Sequence, residues 1–257
     1  MTDIRPIQNS EAETFLDLLC GVFDLDYARA HSIFFTEPLF DLDRKWALFE
    51  GNRMVSILTT VPLEFGWGKA IGIAGVATHR GRQGEGHASR LLTHVIGASA
   101  KAGETGAMLF ARDTRLYEGV GFKVLDEVVR GPVIARPEEQ IPDGIGFETV
   151  KGIYDDWSHR NVNRLRRDAL RWQYWKWNLR VSTIFHDGYL CFEGGVVREV
   201  VLDKPANDWT LPPETEWLGL SSMADRLGAR LRDPEMELYL MGAGIPGQPE
   251  FFMTDQF

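Results

Sequence analysis

The sequence predicts a mixed α/β protein, with helices packed on a mixed β-sheet, and three observations carry that expectation. First, a β-branched, apolar segment (Ile71, Ile73, Val76) runs through a loop with Gly81, Gly84 and Gly86. A helical pattern follows, with apolar Ala88, Leu91, Leu92, Val95 and Ile96 spaced i, i+3, i+4, i+7 and i+8. Second, two strand-like runs, 46–50 and 54–65, flank Gly51-Asn52, a pair that favours a tight hairpin turn. Third, 257 residues with 44% hydrophobic content suffice for one large domain or two small ones with real cores.

Taken in order, residues 4–7 read as a short strand. Ser10 followed by Glu13 reads as a capping box opening a helix that carries Phe15, Leu18, Leu19, Val22 and Phe23. A second helical stretch spans 27–35. In the hairpin, Pro62 belongs at an edge or bulge, because it lacks a backbone donor. A strand over 69–78 enters the glycine loop, a helix over 85–102 leaves it, and Gly103 closes that helix. A strand over 107–111, a helical turn over 114–118 and a strand running through 129 complete a hairpin followed by β-α-β-α-β.

Residues 136–147 are polar and proline-rich, as domain boundaries tend to be. The chain therefore divides into residues 1–135, a linker over 136–147 and a second lobe over 148–257. In that lobe residues 150–180 read as helical, followed by strands over 183–185, 189–192 and 196–202, a helix over 217–231 and a strand over 237–241. It repeats the strand-helix-strand logic without a glycine-rich loop.

A formal net charge of -9 argues against bulk nucleic-acid binding and suits a cationic partner such as an amine. The two cysteines, Cys20 and Cys191, have neither metal-ligand spacing nor a disulfide framework, so no metal is expected. The chain opens without an apolar leader and holds no run of about 18 apolar residues, so a cytoplasmic protein that avoids membranes is expected. A homo-oligomer is compatible with the composition.

The glycine loop carries the chemistry. At the start of a helix the first N–H groups lack intrahelical partners and the helix dipole adds positive charge, so an anion such as a pyrophosphate fits there. A Rossmann dinucleotide site matches poorly, because Gly84-Glu-Gly-His-Ala-Ser has Ser89 in place of the third glycine and Glu104 precedes the next strand. A P-loop is excluded by the absence of Gly-Lys-Ser/Thr.

Gln83-Gly84-Glu85-Gly86-His87-Ala88 resembles the Q/R-x-x-G-x-G/A signature of the GCN5-related N-acetyltransferases (GNAT), set between a strand and a helix as in that family. Some 30 residues on, the stretch from Leu116 through Tyr117 to Gly121-Phe122 resembles the family's Tyr-x-x-x-Gly-Phe segment. The likeness covers residues 1 to about 135. The whole chain is most similar to the tandem, enhanced-intracellular-survival type, in which a catalytic GNAT lobe precedes a degenerate GNAT-like lobe, here without the sterol-carrier-like domain.

The resemblance implies acetyl-CoA as cofactor and an acetyl transfer to a primary amine of a small molecule or peptide, by direct attack in a ternary complex. It implies that pantetheine pairs with strand backbone at Val76, Ala77 and Thr78, and that the pyrophosphate sits on Gln83, Gly84, Glu85, Gly86, His87, Ala88 and Ser89. Arg112 and Asp113 are placed to touch the cofactor, and Arg80, Arg82 and His87 to offset phosphate charge.

Tyr117 takes the family role of general acid toward the departing thiolate. The base is open: residues 71–78 hold no acid, His79 is a weak candidate, and a water chain or the C-terminal carboxylate at Phe257 are the others. The loops over 27–43 and the second lobe would wall the amine site, with Phe34, Phe35, Phe40 and Trp67 as candidate lining. The Arg/Trp-rich stretch 164–177 reads as a packing helix between lobes. A non-catalytic acyl-CoA-binding sensor is the alternative; it would keep the loop and need no acid.

Overall fold

The computed structural model describes residues 2–138, 144–178 and 180–257; of the expected linker, residues 139–143 lie outside the described residues. The first half runs β1 (Thr2–Pro6), α1 (Ala12–Phe23), α2 (Tyr27–Phe34), β2 (Lys45–Glu50), β3 (Arg53–Phe65), β4 (Gly68–Thr78), α3 (His87–Lys101), β5 (Glu104–Ala111), α4 (Arg115–Glu118) and β6 (Lys123–Pro132). The second runs β7 (Arg136–Pro137), α5 (Phe147–His159), β8 (Leu165–Arg166), α6 (Ala169–Trp177), β9 (Val181–Phe185), β10 (Gly188–Glu193), β11 (Val196–Val201), β12 (Thr210–Leu211), β13 (Glu216–Leu220), α7 (Ser221–Leu227) and β14 (Glu235–Ala243).

Three expectations need correction. The entry to α1 is a single 3-10 turn over Asn9–Glu11, and the reciprocal capping box joins Gln8 and Glu11 instead of Ser10 and Glu13. Glu11 is fixed in that position by Arg5, whose guanidinium donates to both carboxylate oxygens at 2.7 and 2.8 Å. Residues 150–180 form two helices, since β8 intervenes to pair with β3 at Glu64 and Phe65 and Asp168 then caps α6 through the Arg171 N–H. Residues 217–231 begin as strand β13, because tertiary pairing with β6 and β11 outweighs the helical spacing of Trp217, Leu220, Met223 and Ala224.

Pro62 falls where the β2 ladder has ended, at Lys45 opposite Thr59, and before the β8 ladder begins. Its freed carbonyl accepts from Arg171 Nη2 at 2.8 Å.

The two halves share one sheet, in the order β1-β2-β3-β4-β5-β14-β6-β13-β11-β10-β9. β14, from the C-terminal part of the chain, lies antiparallel between β5 and β6 of the first half. Under α3, Leu91, Leu92 and Val95 pack against Ile71, Ile73 and Leu109. On the opposite side α1 buries Phe15, Leu16 and Cys20 against Ala47, Ile57 and Ala77. A third core, around Tyr154, Trp157, Trp172, Tyr189 and Trp217 of the second half, takes in Leu63, Phe65 and Met108 of the first. Trp172 and Trp175 are thus core residues, which accounts for the Arg/Trp-rich stretch as packing.

Candidate active site

The site grows out of the central strand. β4 pairs in parallel with β5 from Lys69 only as far as Ile73. Beyond that point the two strands part, and residues 74–78 lean on β3 alone. Between the pairs Ile57–Ala77 and Thr59–Ala74 the register slips by one residue, a bulge at Gly75 and Val76. Gly75 has φ +59°, a left-handed conformation that glycine adopts without strain. Such a bulge takes backbone groups out of the ladder and bends the strand, which opens the sheet here.

One groove follows from this opening. It has a volume of about 410 Å³, and its walls include Val76, Thr78, Gln83, Gly84, Gly86, His87, Ala88 and Ser89. Eight of the residues expected at the cofactor therefore lie along a single cavity. Gly86 is the N-cap of α3 with φ +78°, and no side chain caps the helix, so its first N–H groups are free to receive an anion. A Cβ built on Gly84 or Gly86 meets nothing within 4 Å, which leaves the approach to the backbone open. The Gln83 amide reaches back to the Thr78 carbonyl at 3.2 Å and ties the loop to the strand.

Arg82, expected to offset phosphate charge, also lines this groove, whereas Ala77, Glu85, Arg112, Asp113, Arg80 and His79 do not. Ala77 is buried against α1, on the opposite face of the strand. Glu85 turns to Arg82 at 2.7 Å and to His87 Nε2 at 3.1 Å. Hydrogen bonding from Arg82 holds the Glu85 carboxyl down to about 2. Arg82 also donates to Glu50 at 2.8 Å, so its charge is already matched by two carboxylates. Arg112 is exposed, and Asp113 is engaged by Arg115, whose hydrogen bonds hold its carboxyl down to about 2. Arg80 faces Asp24 at 3.5 Å. His79 accepts from the Gly81 N–H and meets Arg53 at 3.0 Å, and it lines a different hollow beside Asn52 and Met54.

Tyr117 stands on α4, next to Leu116, which closes the groove. Its ring meets Phe122 edge-on at 6.1 Å between centroids. Burial pushes its phenol pKa up, and the nearby Asp113 carboxylate adds to the rise. Among the described residues its hydroxyl has no hydrogen-bond partner. Val22 of α1 also lines the groove; its helical spacing marked it as apolar, but nothing local told which cavity it would face.

A second cavity, about 550 Å³, lies on the other side of the bulge. Ala74 and Gly75 border it, and Val76 borders the groove, so the two spaces adjoin at consecutive residues of β4. Leu16 and Leu19 of α1, Ile33 and Phe34 of α2, and Val61 of β3 supply its apolar walls. Asp24, Asp26 and Glu37 bring carboxylates, and Arg29 and Lys45 bring cations. Lys45 Nζ is buried 4.8 Å from the Phe34 ring and 3.4 Å from Glu37; burial lowers its pKa, with Glu37 opposing.

Phe34 thus lines this cavity, with Phe35 and Phe40 packed behind it, whereas Trp67 stacks on Phe65 elsewhere. Tyr174, Gln256 and Phe257 complete the wall from the second half. The Phe257 ring lies against Gly72 of β4, where a Cβ would come within 2.4 Å of it. Sequence reasoning had no local signal for Lys45, Tyr174 or Gln256.

Comparison with known proteins bears on the domain and the fold. The family model of the acetyltransferase (GNAT) domain matches residues 3–125. Among solved structures, the fold is similar to a GCN5-related N-acetyltransferase from Kribbella flavida, with a TM-score of 0.67 over 94% of this chain and 70% of that one at 14% identity. A GCN5-related N-acetyltransferase from Anabaena variabilis gives a TM-score of 0.65 over 94% and 72%, also at 14% identity. Eis1 from Mycobacterium abscessus gives 0.60 over 93% and 73%, again at 14%. At that identity the likeness concerns the fold. No curated protein sequence matches this chain.

Proposed function

We propose that the chain, whose residues 3–125 match the model of the acetyltransferase (GNAT) domain, transfers an acetyl group from acetyl-CoA to a primary amine held in the cavity walled by α1, α2 and Phe257. The observation that carries this reading is the meeting of two cavities across the β4 bulge, an anion-receiving groove on one side and an apolar, carboxylate-bearing pocket on the other. Acetyl-CoA supplies the activated acyl group when bound. The residues fit it: the uncapped N–H groups of α3 receive the pyrophosphate, and the parted edge of Val76 and Thr78 offers backbone to the pantetheine amides. Glu85, Arg112 and Asp113 are proposed for the outer part of the cofactor site, whereas Ala77 can contribute only backbone, its side chain being buried against α1.

In this reading the cavity holds the amine close to Gly75, so that the new C–N bond forms as the C–S bond breaks. Tyr117 gives its phenolic proton to the departing sulfur. The proton lost by the ammonium is taken by the carboxylate that Phe257 carries as the last residue of this sequence, or passes to water. The asymmetry of the pocket, three carboxylates against two cations, favours a cationic amine over an anionic acceptor. The second lobe is proposed as a degenerate GNAT-like unit, residues 148–257, joined to the catalytic lobe, residues 1–135, by the linker at 136–147.

The test is thiol release from acetyl-CoA by the purified protein against a panel of amines, together with calorimetric binding of CoA. CoA binding with amine-dependent release supports the proposal; binding without release to any amine favours the acyl-CoA sensor, and no binding overturns both. Adding one residue after Phe257 turns its carboxylate into an amide and should suppress turnover while CoA binding persists. Undiminished turnover would assign the proton to water.

A further inference from the structure

β11 and β13 repeat in the second half the relation of β4 to β5. They pair in parallel only at Val196 and Val197 with Glu216 and Trp217, and then part. In the first half the parted strands open a groove. In the second, the gap is filled by the chain's own C-terminal turn, Met253–Asp255, which packs against both strands and is buried throughout.

This turn is held by a buried ionic cluster. Arg167, fully enclosed, donates to the Asp255 carboxylate at 2.7 and 3.0 Å and to Glu199 at 2.6 and 3.1 Å. It also reaches the Thr254 hydroxyl at 3.0 Å, and that hydroxyl donates to Glu199. Arg198 holds the Met253 carbonyl at 3.2 Å. Arg171 links the turn to the catalytic half, touching the Asp255 carbonyl at 3.4 Å and the Pro62 carbonyl of β3 at 2.8 Å. Two residues beyond Asp255, the Phe257 ring lies on Gly72 and lines the amine cavity, 5.2 Å from the Phe110 ring.

Buried ion clusters contribute little net stability over apolar packing of the same volume, and their best-attested use is to specify one arrangement among several. Resting on the acetyl-transfer reading above, we propose that Arg167, Glu199 and Asp255 are positioning residues. They anchor the C-terminal turn in the gap of the second lobe so that Phe257 forms the far wall of the amine site in the first. The second half then acts on the reaction through the tail it grips, and its gap is a seat for that tail instead of a second cofactor groove.

Two variants test this from opposite ends. Asp255→Asn removes the tail's charge while Arg167 keeps Glu199 as partner. Gly72→Ala leaves the cluster whole and pushes on the ring seat. Both should lower kcat, on the order of 100-fold for a displacement of about 1 Å at the site, and raise the KM of the amine that the wild type acetylates. The dissociation constant for CoA should stay within twofold, a split that a general loss of structure would not produce.

Amide hydrogen exchange supplies the second readout: residues 251–257 should exchange faster in Asp255→Asn while α3 stays protected. Unchanged exchange in the tail overturns the anchoring, and a loosened tail with unchanged kcat and amine KM overturns the positioning role. If the wild type itself transfers no acetyl group, the failure belongs to the acetyl-transfer reading, and the exchange measurement alone decides the anchoring.

Discussion

Tyr117→Phe should slow acetyl transfer by about 100- to 10,000-fold, the range over which a placed general acid acts, with CoA binding unchanged. The substitution removes one oxygen and keeps the ring that meets Phe122, so the packing of α4 on the sheet survives. Burial, seconded by Asp113, raises the phenol above its ordinary value of about 10, which keeps it protonated throughout the neutral range. The alkaline limb of the wild type's turnover should therefore lie above that value, where the phenol gives up its proton. In the Phe variant that limb should vanish along with most of the rate. Turnover equal to wild type from pH 7 to 9 would take the acid role away from Tyr117.

The second large effect is on stability. Arg167→Leu leaves Glu199 and Asp255 enclosed without their guanidinium, and breaking a buried pair in this way costs roughly 3–5 kcal/mol. In a chain of this size that lowers the melting temperature by about 10 °C or more. The same cluster sets an acid limit. Burial by itself would raise the Glu199 pKa, but Arg167, helped by hydrogen bonds from Thr254 and Tyr189, outweighs it and holds the carboxyl below the usual glutamate range.

A carboxyl depressed in the fold contributes stability that is complete above its unfolded value, about 4.3, and is lost as pH falls through the lower folded value. Without Arg167 the sign reverses: burial raises Glu199, its buried charge becomes a cost to the fold at neutral pH, and the variant should recover part of its lost stability as pH falls, over the range in which the wild type loses its own. Thermal melts from pH 3 to 7 measure both effects. A variant that melts within a degree of the wild type at pH 7 would show that the cluster holds nothing.

These two predictions sit at opposite ends of what can be read from the chain. Tyr117 belongs to a contiguous segment, and its place on α4, next to the groove-lining Leu116, follows from one strand, one turn and the next strand in sequence. The Arg167 cluster joins residues 167, 199 and 255, which no local pattern connects. Arg167 instead stood in a stretch that read as a packing helix between lobes, with nothing in it to name the carboxylates it meets. Only its enclosure among Tyr154, Trp172 and Trp175 shows it to be a core cation.

The helical spacing of residues 217–224 likewise pointed to the wrong element at its start. Periodicity reports which residues face a core, and here β6 and β11 decided that residues 216–220 would meet it as a strand.

By itself, then, the sequence determined the mixed α/β class, the strand, glycine loop and helix over 71–96, and the chemistry of an anion cradle. Those features depend on hydrophobic period, backbone freedom at glycine and the orphan donors of a helix start, all of which act within some 25 residues. Only the tertiary structure decided that β14 enters the sheet between β5 and β6, that the amine cavity is walled from both halves, and that the last residues plug the second lobe and lie on Gly72. Those arrangements join segments from some 55 residues apart, as in Glu199 and Thr254, to well over a hundred, as in Gly72 and Phe257. Their selection rests on shape, pairing partners and buried charge that exist only once the chain has closed on itself.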